Sequence, residues 1–147
     1  MVKGRMGLTQ REINEAIESG ENAKYCLRLA RKKLRSALRW SRVDLFSDSM
    51  IVNTIKYGKV FKASTNMQVA QNYLRTFQKR VKDADVYYEF YDSIDEYAKD
   101  ADVFCDCVMH ELEVHDNIAD MLAQVERVLS KLEEALARVY KCTPQSE

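Results

Sequence analysis

The sequence predicts an all-α fold, an antiparallel bundle of about four helices, three long and one short, with heptad-like packing. Apolar residues recur at alternating steps of three and four over long stretches. Turn-forming residues are scarce, with four Gly and one Pro in 147 residues. That scarcity argues against a β-rich fold, which needs many tight turns. Because a helix with one apolar stripe cannot bury that stripe alone, we expect the helices to pack lengthwise against each other.

The first helix is predicted to begin after Thr9 and to end near residues 40–42. Thr9 is a suitable N-cap, and Glu12 three residues later completes a capping box. The core face should consist of two rows, each with a period of seven residues. These rows are Ile13, Gly20, Leu27 and Leu34, and Ala16, Ala23, Ala30 and Ala37. Because Gly and Ala leave little side chain between backbones, we expect a close neighbour helix or large aromatic side chains that fill the space.

The middle of the chain is predicted to hold a short second helix and a long third one. Residues 64–66 (Ser, Thr, Asn) are the best break signal, because these side chains compete for backbone hydrogen bonds. The third helix is then predicted from Asn66 to about Ala98, straight through the polar residues 82–85. The alternative is a break at Asp83, which would give five helices.

The last long run, residues 101–140, is predicted to be the helix around which the others are organised. It contains no Gly and no Pro, so nothing ends it early. Its predicted core positions are Ile118, Leu122, Val125, Leu129, Leu132, Leu136 and Val139. We expect one domain over residues 9–141, between a flexible N-terminus (1–8) and a disordered tail (142–147).

The composition favours a cytoplasmic protein without a transmembrane segment, because no stretch approaches the length of about 18 apolar residues that a spanning helix needs. The four cysteines, at positions 26, 105, 107 and 142, match neither a zinc spacing nor a disulfide framework. The sequence has no nucleophile elbow and no Gly-rich phosphate loop. We therefore expect no enzymatic activity and no cofactor.

Charge is divided between the two halves of the chain. Residues 1–82 contain 18 Lys and Arg against 6 Asp and Glu, whereas residues 83–147 contain 5 against 17. Five basic residues follow one face of the first helix: Arg28, Lys32, Arg35, Arg39 and Arg42. This basic stripe could bind nucleic acid, another anionic surface or an acidic protein partner.

The alternative for the basic stripe is pairing within the chain. If the first helix packs antiparallel beside the last one, acidic residues of the last helix could face the stripe. The candidates are Asp106, Glu113, Asp116 and Asp120. Exposed ion pairs of this kind contribute about 0–1 kcal/mol each, so they would select neighbours rather than hold the fold together.

A metal site is a weaker alternative. The two histidines, His110 and His115, lie near carboxylates at helical spacing: Asp106, Glu111 and Glu113. Side chains three and four residues apart on a helix converge on one point, as metal ligands must. A structural role is the competing interpretation, in which Glu111 and His115 form a polar layer in the core that sets the register of the helices.

An aromatic face on the third helix gives the leading functional hypothesis. It consists of Tyr87, Phe90, Tyr91, Ile94 and Tyr97. This apolar surface exceeds what one core-facing stripe requires, and Tyr-rich patches are typical of protein interfaces. The sequence therefore predicts a non-enzymatic bundle that acts through protein–protein contacts, with homodimerisation through this face. A central position in the bundle is the other explanation for the extra apolar residues.

Overall fold

The computed structural model describes residues 10–44, 50–81, 88–109 and 115–141, with side chains for 10–40, 58–81, 91–103 and 118–141. Nearly all of these residues are helical, and none of them forms a strand. The helices are α1 (Gln10–Asp44), α2 (Met50–Arg80), α3 (Tyr88–Met109) and α4 (His115–Lys141). The predicted all-α bundle is confirmed.

The four helices form a ring in which α1 packs on α2, α2 on α3, α3 on α4 and α4 on α1. Neighbouring helices run antiparallel, as two ion pairs between α1 and α4 illustrate. Arg28 pairs with Glu133 and Arg35 pairs with Glu126, so the residue numbers rise on one helix as they fall on the other. The α1–α2 contact is the most extensive of the four.

The small residues of α1 explain this extensive contact. Both predicted rows of α1 are buried, which confirms the core face of this helix. At Gly20 the neighbours come so close that an added Cβ would lie 2.6 Å from Leu136 Cδ2 and 3.0 Å from Phe77 Cδ1. Large side chains of α2 and α4 thus fill the space that Gly20 leaves.

Helix α4 has the predicted core face but not the predicted start. Six of its seven predicted core residues are buried, and Leu122 is half-buried against the core. The helix begins at His115, whereas residues 101–109 belong to α3. The prediction of one continuous helix over residues 101–140 is therefore wrong. Ala101 of α3 and Ile118 of α4 are both buried in the same core, so apolar spacing alone does not show where one helix ends and the next begins.

Helix α2 runs through the break that the sequence predicted at residues 64–66. Ser64 is buried, and the Thr65 hydroxyl donates a hydrogen bond to the Phe61 carbonyl at 3.2 Å. Bonding to the carbonyl four residues earlier lets Thr remain inside a helix. A third helix spanning residues 66–98 is also wrong, because α2 ends at Arg80 and α3 begins at Tyr88. Residues 82–87 lie outside the described residues.

The buried face of α3 differs from the predicted one. Ile94 and Tyr97, which were predicted to face outward, are buried, as is Ala101, whereas Asp95 is exposed. The Tyr97 hydroxyl donates to the Met67 carbonyl at 2.9 Å, so its one polar group is satisfied inside the bundle.

Candidate interaction surface

The aromatic face of α3 is largely used inside the bundle. Ile94 and Tyr97 are buried, which corrects their assignment to an outward apolar face. Tyr91 is half-buried against the core, and its hydroxyl donates to the Val81 carbonyl at 3.2 Å. Tyr87 and the side chain of Phe90 lie outside the described residues. The apolar surplus of α3 is thus explained, as far as it is described, by packing against α2 and α4.

The basic stripe of α1 is partly paired with α4. Arg28 Nη2 lies 3.0 Å from Glu133 Oε2, and Arg35 Nη2 lies 2.7 Å from Glu126 Oε2. Both ion pairs are about half-exposed, so each contributes less than about 1 kcal/mol. The pairing of this stripe with α4 was predicted, but with other carboxylates.

The rest of the stripe points outward where it is described. Lys32 and Arg39 are exposed and form no ion pair with a described residue. The side chain of Arg42 lies outside the described part, as do those of Asp106, Glu113 and Asp116. Asp120, the fourth predicted carboxylate, lines a groove between α3 and α4 instead.

The predicted metal ligands cannot be placed as a group. Asp106 lies in α3 and His115 begins α4, but their side chains, and all of His110, Glu111 and Glu113, are outside the described residues. Among the side chains that are described, no three His, Cys, Asp or Glu residues come close enough to hold a metal ion.

The groove between α3 and α4 has a volume of about 430 Å³ and a polar floor. Gln124 is only 2% exposed; its Oε1 accepts a hydrogen bond from Arg127, and its Nε2 has no partner among the described residues. The described lining residues include no His, Cys or Ser. They therefore supply neither a thiol or hydroxyl nucleophile nor an imidazole base.

A polar cluster joins the start of α1 to the end of α4. The Tyr140 hydroxyl donates to Glu21 Oε2 at 2.7 Å, and Lys24 Nζ lies 3.2 Å from Glu21 Oε1. Partial burial alone raises the pKa of Glu21, but Tyr140 and Lys24 outweigh it and bring the pKa below the ordinary 4.5. The hydrogen bond to Glu21, with partial burial, raises the pKa of Tyr140 above 10.0. Nearby, burial raises the pKa of the free Cys26 thiol, which disfavours the reactive thiolate form.

The outer side of α2 carries a row of uncharged residues that sequence reasoning missed. We call this row the α2 outer strip: Phe61, Thr65, Gln68, Val69, Asn72 and Thr76. Phe61 is 57% exposed and Val69 is 39% exposed. From its first residue to its last the strip is about 22 Å long at 1.5 Å per residue. The available signal was compositional, because α2 contains six Lys and Arg but no Asp or Glu.

The neighbouring helix α3 has the opposite composition, with seven Asp and Glu against one Lys. The exposed members that are described are Asp92, Asp95, Glu96, Asp100 and Asp102. Asp100 lines the groove with α4, and the other four form the α3 acidic face. Gln71 of α2 donates to Asp102 Oδ1 at 3.4 Å, but no ion pair joins the described parts of α2 and α3. The two helices thus present opposite charges side by side on one face of the bundle.

None of the four helices, over the residues searched, is both long enough and apolar enough to cross a bilayer. Comparison with protein-family models, with curated proteins and with solved structures finds no match for this chain.

Proposed function

We propose that this protein acts without catalysis, through protein–protein contact, and that it self-associates as a homodimer. The observation that carries the proposal is the α2 outer strip. The solvent-facing side of a bundle helix is normally rich in charged residues, whereas α2 has none between Lys62 and Arg75, over about three helical turns. The outermost row of α1 shows the usual pattern, because four of its five members are charged: Arg11, Glu18, Tyr25, Lys32 and Arg39.

The chemistry of the strip suits the centre of an interface. Charged groups are depleted there, because removing them from water costs more free energy than removing amides or hydroxyls. Phe61 supplies an exposed ring, and rings provide much of the apolar area that interfaces bury. Thr65 and Gln68 on either side can form hydrogen bonds with a partner while bringing no net charge into the contact.

The site of self-association proposed here differs from the one that the sequence indicated. Because Ile94 and Tyr97 are buried by the chain's own helices, they offer no surface to a second molecule. Phe61 and Val69 do. The chain as a whole carries 23 basic and 23 acidic residues, so two copies approach each other without net repulsion.

The test is the oligomeric state in solution. Sedimentation equilibrium between about 1 and about 100 μM should show a dimer, which Phe61→Glu converts to a monomer by placing a charge in the contact. Tyr25→Glu is the matched control, because Tyr25 is 66% exposed on α1. It should leave the dimer intact. A wild-type protein that stays monomeric at the highest concentration would overturn the proposal.

Anion binding is a second candidate, favoured by the exposed Lys32 and Arg39 of α1 and by Lys62 on the adjacent helix. Two other members of the basic stripe already face carboxylates of α4, so fewer cations remain for a polyanion. Retention on a single-stranded RNA column at low salt should fall in Lys32→Glu/Arg39→Glu. No retention of the wild-type protein would exclude this function.

A further inference from the structure

We infer that the second copy binds with its α3 against α2 of the first, around a two-fold axis that runs parallel to the helices. The inference rests on the proposed self-association and adds the surface, the symmetry and the register. Its basis is the juxtaposition of an all-basic helix and an acidic helix on one outward face of the same chain.

The geometry allows two simple ways of placing this face on a copy of itself. A two-fold axis across the helices would set α2 on α2 and α3 on α3. An axis along the helices sets α2 of each copy on α3 of the other, so the same contact forms at two places in the dimer. Symmetric dimers use the same surface on both subunits, so the surface must be complementary to itself under one of these rotations.

Charge decides between the two arrangements. The first would bring basic side chains of α2, such as Arg75 and Lys79, towards basic ones, and acidic side chains of α3, such as Asp92 and Asp95, towards acidic ones. Like charges facing each other across an interface cost several kcal/mol, whereas opposite charges guide association and fix the register. Only the axis along the helices places basic against acidic on both sides of the dimer.

The register follows from contacts within the chain. Gln71 bonds to the Ala98 carbonyl at 3.3 Å, and Tyr91 bonds to the Val81 carbonyl at 3.2 Å, so the residues of each pair lie near one level along the bundle, within the reach of their side chains. Linear interpolation of the residue numbers between these two pairs places Arg75 near the level of Asp95.

By the same interpolation, Lys79 lies level with Asp92. A two-fold axis parallel to the helices moves nothing along them, so each basic side chain meets the carboxylate at its own level on the other copy.

These four charges are available for such contacts. Arg75, Lys79, Asp92 and Asp95 are exposed, and none forms an ion pair with a described residue of its own chain. Phe61 and Gln68 lie fourteen and seven positions before Arg75, respectively, on the same side of α2. The uncharged part of the contact therefore adjoins the charged part, and excludes water from it.

The test reverses charges on one helix and then on both. Arg75→Glu/Lys79→Glu should weaken the dimer at least about a hundredfold, since each of the two contacts then has acid facing acid. Adding Asp92→Lys/Asp95→Lys to the same chain should restore dimerisation, because the complementarity is restored with reversed sign. The matched control Lys32→Glu/Arg39→Glu changes the net charge equally on α1 and should leave the dimer unchanged. Circular dichroism of each variant establishes that it remains helical.

Each outcome supports or overturns the proposed dimer arrangement. A dimer that persists in Arg75→Glu/Lys79→Glu, or that is not restored by the four-residue variant, overturns the inference but leaves self-association standing. A monomeric wild-type protein removes both. If the variants do not fold, the salt dependence of the wild-type dimer decides. Opposed charges predict weaker dimerisation as NaCl rises, and tighter dimerisation would refute this arrangement.

Discussion

Replacing each of the two described glycines by alanine tests the close packing of α1 directly. Both residues lie inside helices, Gly20 in α1 and Gly58 in α2. An added Cβ at Gly58 meets no atom within 4 Å, whereas at Gly20 it would lie 2.6 Å from Leu136 Cδ2. The two substitutions therefore share one backbone effect and differ in the space available.

The expected free energies follow from these two terms. Alanine is favoured over glycine in a helix by about 0.8–1 kcal/mol, so Gly58→Ala should stabilise the fold by about that amount. At Gly20 the Leu136 methyl must move by about 1 Å to reach an ordinary carbon–carbon distance of about 3.5–4 Å. Overpacking of this kind costs about 1–3 kcal/mol. Gly20→Ala should thus be destabilising by about 1 kcal/mol, about 2 kcal/mol less favourable than Gly58→Ala.

Urea denaturation followed by circular dichroism measures both values, with unchanged slopes required for a valid comparison. Leu136→Val supplies a further check, because shortening the clashing side chain should make Gly20→Ala less costly, by about 1 kcal/mol of coupling. If Gly20→Ala stabilises the protein as much as Gly58→Ala does, the space around Gly20 is open and the reasoning is refuted.

Three further substitutions address buried and charged groups, with stability again read from urea denaturation. Tyr97→Phe should destabilise by about 1 kcal/mol through loss of the hydrogen bond to Met67; no change would mean that this bond contributes nothing net. Tyr140→Phe should cost less than about 1 kcal/mol near pH 7, since the pair is solvent-exposed. Because the pKa of Glu21 is lowered in the folded protein, the stabilisation from its ionised form is lost as the pH falls through that pKa. Because the pKa of Tyr140 is raised, the stabilisation from its protonated hydroxyl is lost at alkaline pH, above 10.0. NMR titration should therefore show the Glu21 pKa rising in the variant, and an unchanged value would exclude the hydrogen bond. Gln124→Met should be neutral or stabilising by up to about 1 kcal/mol, because it removes a buried amide nitrogen without a partner; a clear loss of stability would show that the amide is satisfied.

Helix α1 and the core face of α4 could be predicted from the sequence, because an uninterrupted heptad pattern is compatible with only one buried face of a helix. The ends of α2 and α3 could not. Apolar spacing continues from Phe77 through Val81 to Tyr91. It continues because both helices face one core, so the pattern alone does not distinguish a continuous helix from two helices joined by a turn. At Thr65 the error was the opposite one, because the sequence predicted a break where the helix continues. The Thr65 hydroxyl bonds to a carbonyl of the same helix and does not end it.

The candidate surface was missed for a related reason. Sequence reasoning looked for excess apolar residues and found them at Ile94 and Tyr97, which complete the core. A surface feature of α2 appears instead as an absence of acidic residues combined with an exposed Phe61. Whether Phe61 faces solvent depends on which side of α2 meets α1 and α3, and only the packing fixes that.

The alanine row of α1 also determines how unevenly the chain should tolerate change. Alanine loses no rotamer freedom on burial, so the alanine row itself enters the contact with α2 without the entropic penalty that the leucines of α4 incur. The close approach of α1 and α2 depends on the small size of the alanine side chains. A larger residue at Ala23 or Ala30 would therefore push the two backbones apart over several turns. Replacing a leucine of α4 by a smaller residue leaves only a local void. Mutational scanning should accordingly find α1 intolerant of larger residues, and α4 intolerant of smaller ones.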